Sequence, residues 1–373
     1  LSGVEQKGDD EKGKKLNFNF FPGRKKKVPV KELVLFTKKL ETMMRAGLPV
    51  LDTMNLITDQ IDHKGMKIVI ETILNDVETG IPLSDCFAKH PHVFDNIYIN
   101  LLRAGETSGK LDIFLAKLVE GIEKEQKIRT SIKGAMTYPT ILLIVAIAVI
   151  AVMMIFVVPV FQQMFEGVAG GLPVATRMVI TISEFFRDPL GGGVLAGAIV
   201  ASIVVLKLMM KRSYKFRRLL HGFVLKLPLF GELVQKSSLA KLSMVQGNLS
   251  SAGVPVLEAL DICSTAMSNV VIQEATNDVR RGVFSGEPLS DLFKKSPKIF
   301  PSTFYSMVSV GEQTGNMEEM FESISRYYEE EMDATIERLT SMLEPVMIVF
   351  LGVTIGFILV AMYTPMFQVG QTL

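Results

Sequence analysis

The chain repeats itself at a fixed interval of 206 residues, and this interval constrains its fold more than any other feature. Ala46-Gly47-Leu48-Pro49-Val50 returns as Ala252-Gly253-Val254-Pro255-Val256, and Gly80-Ile81-Pro82-Leu83-Ser84-Asp85 returns as Gly286-Glu287-Pro288-Leu289-Ser290-Asp291. Gly105-Glu106-Thr107-Ser108-Gly109 matches Gly311-Glu312-Gln313-Thr314-Gly315. Pro139 then matches Pro345, and Pro159-Val160-Phe161 matches Pro365-Met366-Phe367. A register kept over such a length without a gap implies two copies of one fold.

Each copy reads as helical. Leu33, Phe36, Leu40, Met43 and Met44 fall three or four apart and so share one helix face. Gly47 is expected to end that helix, because glycine takes the left-handed cap conformation cheaply, and Pro49 pre-sets the start of the next. Gly253 and Pro255 repeat the arrangement. Apolar-periodic runs follow at 68–77, 83–87 and 97–102, and again at Leu111, Phe114, Leu115, Leu118 and Ile122, while no stretch alternates like a strand. The expectation is an all-α bundle of about six short helices per copy, with roughly a hundred residues, enough for one core.

A mean hydropathy of +0.33 with 21% charged residues places part of the chain in a membrane. Residues 139–158 and 345–363 are charge-free apolar runs, and 190–210 is interrupted only by Lys207. About 20 residues cross the roughly 30 Å hydrocarbon layer, so three transmembrane helices are expected. Lys211, Arg212, Lys215, Arg217, Arg218 and Lys226 follow the second run, and Lys124, Lys127, Arg129 and Lys133 precede the first, whereas 160–189 carries only Arg177 and Arg187. By the bias of cations toward the cytoplasm, the N-terminus and both bundles face inside and the C-terminus is periplasmic. A duplicated unit of bundle plus one crossing would leave its second bundle outside; the unrepeated middle crossing brings the chain back. The expected organisation is an arm at 1–30, a cytoplasmic bundle at 31–138, a span at 139–158, a periplasmic loop at 159–189, a span at 190–210, a basic linker and second bundle at 211–344, a span at 345–363 and a tail at 364–373. The arm is polar and basic, without the apolar core of a signal peptide; it reads as a solvated tail or as a contact for anionic lipid through Arg24 to Lys27.

Little here points to chemistry. Cys86 and Cys263 occupy non-equivalent repeat positions and read as buried apolar residues. His63, His90, His92 and His221 lack metal spacing, so no metal is assigned. Gly105 to Leu111 resembles a phosphate loop, yet the spacing is one residue short, Leu111 stands where a hydroxyl is needed and no strand precedes it. Gly105, Gly109, Gly311 and Gly315 are read instead as turn and cap residues between helices. No nucleotide cofactor or enzyme signature is present, and a net charge of +1 gives no field for nucleic acid.

Two features suggest contacts. Gly193-x-x-x-Gly197 and Gly352-x-x-x-Gly356 have the spacing that lets helix backbones approach, within one subunit or between subunits of a homo-oligomer. Glu329, Glu330, Glu331, Asp333 and Glu337 form an acidic strip where the first copy has mixed charge. The strip is either a solvated face or a docking surface for a basic partner or for the other bundle.

Taken together, the twin A-G-[LV]-P-V, G-x-P-L-S-D and G-E-x-[ST]-G motifs, in the order bundle, span, basic-flanked span, bundle, span, resemble one family. It is that of the polytopic inner-membrane platform proteins of type II secretion and type IV pilus assembly. The resemblance covers nearly everything after Val30. It implies a non-catalytic adaptor in the bacterial inner membrane that couples a cytoplasmic assembly ATPase to extraction of prepilin or pseudopilin subunits, alongside other inner-membrane components. The rival is a small transporter with internal repeats, against which stand too few spans and no polar, broken helix at the midplane.

Overall fold

A computed structural model describes residues 28–164 and 173–369, and among these the chain is helical without a strand. The expected arm up to residue 27 and part of the expected loop, 165–172, lie outside the described residues.

The first repeat comprises α1 (Val30–Arg45), α2 (Val50–Asp59), α3 (Lys64–Glu78), α4 (Leu83–Ala88), α5 (Asn96–Ser108) and α6 (Leu111–Val152). A π-helical turn, Met153–Val157, leads into α7 (Val158–Met164), then α8 (Val174–Arg187), α9 (Pro189–Arg212) and α10 (Tyr214–Lys226). The second repeat comprises α11 (Phe230–Ser251), α12 (Val256–Ala266), α13 (Val270–Phe284), α14 (Leu289–Lys294), α15 (Ser302–Thr314) and α16 (Met317–Val369). Local chemistry sets several of these limits. The Asp95 carboxylate accepts from the Tyr98 N–H at 2.9 Å and caps α5, and Asn269 does the same for Val271 at the start of α13. Gly47 and Gly253, at φ +84° and +73°, turn the chain out of α1 and α11.

The repeat extends to the core. Phe87, Phe94 and Tyr98 form an aromatic triad, with Phe87 and Phe94 centroids 4.5 Å apart, and Phe293, Phe300 and Phe304 form its counterpart, with Phe293 and Phe300 at 4.6 Å. All six are buried. Each triad joins a short helix, the turn after it and the next helix, so the small elements α4 and α14 are held by large rings rather than by their own length. Cys86 and Cys263 are free and fully buried; burial pushes both thiols up from their ordinary pKa, so they behave as small apolar residues.

The passage from bundle to apolar run, expected at Pro139 and Pro345, is not a helix boundary. Pro139 lies inside α6, and Pro345 and Pro365 lie inside α16. Two helices among the described residues are long and apolar enough to cross a membrane: 111–164, counting its π turn, and 317–365. The expected middle run, 190–210, falls on α9, a helix of 24 residues. The tail, expected to leave the helix after 363, continues α16 as far as Val369.

The stretch expected as a loop after Pro159 is helical where it is described. The inner side of α8 buries Thr176, Val179, Ile180 and Ser183 against Met154, Val158, Ile358, Ala361 and Met362. Thr176 donates to the Ala361 carbonyl and Ser183 to that of Met154, inside the π turn. A π turn disturbs the regular ladder of backbone bonds, and the Ser183 hydroxyl gives a carbonyl there a partner.

Candidate functional site

Two of the repeated motifs form one joint. Helix α4 has six residues and begins at Leu83, so its first N–H groups lack partners within the helix. The Glu106 carboxylate, brought across by α5, accepts from the Leu83 N–H at 2.6 Å, the Ser84 N–H at 3.1 Å and the Ser84 hydroxyl at 2.7 Å. In the second copy Glu312 accepts from the Leu289 N–H, the Ser290 N–H at 3.0 Å and the Ser290 hydroxyl. A carboxylate at a helix N-terminus also meets the positive end of the peptide dipoles. An acid follows the Pro-Leu-Ser start by the same spacing in both copies, a regularity that any two positions of a gapless repeat share.

The motif glycines divide into two kinds. Gly80, Gly109, Gly286 and Gly315 have φ between +69° and +85°, beyond the reach of most side chains. Pro49, Pro82, Pro255 and Pro288 stand at the N-caps of α2, α4, α12 and α14. Gly105 and Gly311, expected to turn the chain, do not: they lie within α5 and α15. A Cβ at Gly105 would stand 2.9 Å from the Phe114 Cβ, and one at Gly311 would stand 3.0 Å from Met320 Cβ. Their role is close approach of consecutive helices. At the foot of α5 the Lys110 N–H donates to the Gly105 carbonyl at 2.9 Å and the Gly109 N–H to that of Glu106 at 3.3 Å. These two amides close the C-terminal end of α5.

The acidic strip is divided among three directions. Glu329 faces the first repeat, 3.4 Å from the Lys124 ammonium, and accepts from the Ser325 hydroxyl at 3.0 Å. Glu331 accepts from Lys236 of α11 at 2.9 Å, and that ammonium also reaches the Thr335 hydroxyl at 3.0 Å. Glu330 and Glu337 are exposed and Asp333 is half-buried, with no ion pair among the described residues.

Glu329 belongs to a charged seam along which α6 meets α11 and α16. Lys117 contacts Glu318 at 3.3 Å and donates to the Ser251 hydroxyl, and Lys241 contacts Glu125 at 3.4 Å. Burial works against the charge of Lys124, yet Glu120 and Glu329 outweigh it and hold its pKa above the ordinary lysine value. Burial likewise opposes the charge of Glu125, but Lys241 and Arg129 hold its carboxyl below the usual range. Beside the seam a cavity of about 500 Å³ lies between α6, α10 and α11, lined by Arg129, Leu220, His221, Val234, Lys241 and Met267. The His221 ring accepts from the Val270 N–H at 3.0 Å, and burial with Arg217 nearby lowers its pKa.

Three of the four candidate packing glycines have open space around them among the described residues. A Cβ at Gly197, Gly352 or Gly356 would meet nothing within 4 Å, and the side-chain surroundings of position 193 lie outside what is described. The close contact that their spacing permits is not used within one subunit at these three positions.

Comparison with known proteins agrees with this arrangement of repeats. The family described as type II secretion system (T2SS), protein F, matches residues 36–159 and 245–365. The type IV pilus assembly protein PilC of Pseudomonas aeruginosa is 38% identical over 350 residues, covering 94% of this chain and 92% of that protein. PilC of Myxococcus xanthus is 36% identical over 340 residues, covering 91% and 81%. The type II secretion system protein F of Aeromonas hydrophila is 29% identical over 344 residues, covering 91% and 87%. The match falls on both repeats and on the long apolar helices that continue them, and the chain belongs to the type II secretion protein F family.

Proposed function

We propose that this chain is a non-catalytic inner-membrane platform of a type IV pilus assembly machine, coupling a cytoplasmic assembly ATPase to extraction of pilin subunits from the membrane. The observation that carries the choice of a pilus is the 38% identity, along nearly the whole length of both chains, to a protein named for pilus assembly, against 29% for a relative named for secretion. The coupling role draws support from the helices themselves. Because α6 and α16 run from the seam into apolar sequence without a helix end, each bundle is joined to its membrane segment by one continuous helix. In this reading α9 is the second of three spans, both bundles and the N-terminus face the cytoplasm, and the C-terminus faces the periplasm. The protein binds no nucleotide itself and works as a homo-oligomer with other inner-membrane assembly components.

Deleting the gene in its own host tests the pilus assignment: surface pili should be lost and exoprotein secretion retained, and the pili should return with the intact gene. Persistence of pili would overturn it. Reporter fusions at Gly170 and Leu373 test the topology, with a periplasmic signal expected at both.

A further inference from the structure

The helix after the middle apolar run has a face that nothing among the described residues covers. Helix α10 begins at Tyr214, with only Ser213 between it and the basic end of α9, and none of its residues is buried. One side is tied down. The Tyr214 hydroxyl and the Arg218 guanidinium donate to the Glu274 carboxylate at 2.6 and 2.7 Å, and the His221 ring accepts from Val270, so α13 fixes the helix in rotation. The other side carries Leu219, 71% exposed, and Phe223, 58% exposed, one turn apart, with Lys215 and Lys226 on the same face. Lys211, Arg212, Lys215 and Lys226 meet no carboxylate at ion-pair distance among the described residues, and no acidic residue occurs between Lys207 and Lys226.

We propose that α10 lies on the cytoplasmic surface of the membrane and binds anionic phospholipid head groups through these four cations, with Leu219 and Phe223 inserted at the level of the first acyl carbons. The proposal rests on the topology above, in which α9 is a span. Three observations select lipid over a protein partner. A one-residue link leaves α10 no reach: at 1.5 Å per residue its far end is within about 20 Å of the end of α9. Large apolar side chains interleaved with lysines, whose stems can lie along acyl chains while the ammonium stays in water, describe an interfacial helix. A one-signed cluster at the end of an apolar run complements the negative inner leaflet.

Spin labels on the full chain in vesicles test this. Cys86 and Cys263 are fully buried, so labels introduced by Leu219→Cys and Phe223→Cys report their own sites. Phe284→Cys, at a position 81% exposed on α13, serves as the aqueous reference, and Ile203→Cys tests α9. In vesicles of phosphatidylcholine with phosphatidylglycerol, positions 219 and 223 should be accessible to oxygen and protected from a water-soluble nickel chelate, and position 284 the reverse. Lys215→Gln or Lys226→Gln should each lower the immersed-to-aqueous ratio about fivefold. Aqueous signals at both 219 and 223 would overturn the proposal and leave the face to a protein. Position 203 then says whether the topology falls too: an acyl-interior signal there keeps α9 as a span. Equal immersion in vesicles of phosphatidylcholine alone would overturn the head-group claim.

Discussion

Lys124 of the first repeat and Glu329 of the second face each other at 3.4 Å, each about three-quarters shielded from water. With Lys117–Glu318 and Lys241–Glu125, the pair ties two bundles that have separate aromatic triads. Reversing either charge alone leaves two like charges half-buried at the seam, whereas reversing both restores attraction. Lys124→Glu and Glu329→Lys are each expected to lower the melting temperature of the purified protein, and the double variant to recover it in part, with a coupling on the order of 1 kcal/mol. Additive losses would show that the pair does not hold the seam.

The same seam responds to pH at both ends. The folded-state pKa of Glu125 is depressed, so its contribution is present above the ordinary glutamate value of 4.5 and is lost as pH falls through the lower folded value. Lys124 has the opposite sign: its contribution is complete below 10.5 and is lost as pH rises through a raised folded value. The difference in melting temperature between the wild type and Lys241→Met should therefore narrow as the buffer is taken below 4.5. A difference unchanged in acid would remove Glu125 from the account.

Glu106 is expected to matter more than an exposed glutamate should. Glu106→Ala removes a charged acceptor from two N–H groups and a hydroxyl, and should cost about 2 kcal/mol, read by denaturant or thermal unfolding. Glu106→Gln keeps the shape and one acceptor oxygen, and should fall between. Glu312→Ala should reproduce the loss in the second copy.

The outward part of the acidic strip is the part free to dock a partner. Glu330→Lys with Glu337→Lys should leave stability within about 0.5 kcal/mol, since both are exposed surface positions. Co-purification with the assembly ATPase is expected to weaken. Unchanged ATPase binding would reduce these residues to a solvated face. Reversing Glu329 or Glu331 in the same experiment would confuse docking with folding, because Lys124 and Lys236 depend on them.

For Gly352 and Gly356, where an added Cβ meets nothing within 4 Å among the described residues, replacement by leucine should spare membrane insertion and the fold. Chemical cross-linking in membranes should show loss of the homo-oligomer, because the leucines hold neighbouring backbones apart. Retained oligomers would place the subunit contact elsewhere.

The repeat, the helical class and the six-helix plan of each bundle were legible because they are written in periodicity and in glycine and proline positions, which act locally. The Glu106–Ser84 joint was not, although both residues had been singled out, because equal spacing in two copies does not say which motifs touch. Gly105 was misjudged for a related reason: a glycine needed for φ and one needed for space look alike in sequence, and only the 2.9 Å approach to Phe114 separates them. Helix α8 escaped because its buried face is half hydroxyl, Thr176 and Ser183, and reads as polar until the carbonyls of Ala361 and Met154 are seen opposite.

The π turn at Met153–Val157 has no counterpart in α16, although the two copies keep the same residue count on either side of it. A turn closed from i to i+5 winds less per residue than an α turn, so beyond it the first rod is out of torsional phase with the second. Any twofold relation between the copies that holds at the seam cannot extend past this level. A subunit that touched both rods at their outer ends would meet two unlike surfaces, with α8 already lying against both. Duplication made the halves equivalent at the base, and five residues of slack winding make them distinguishable at the tip.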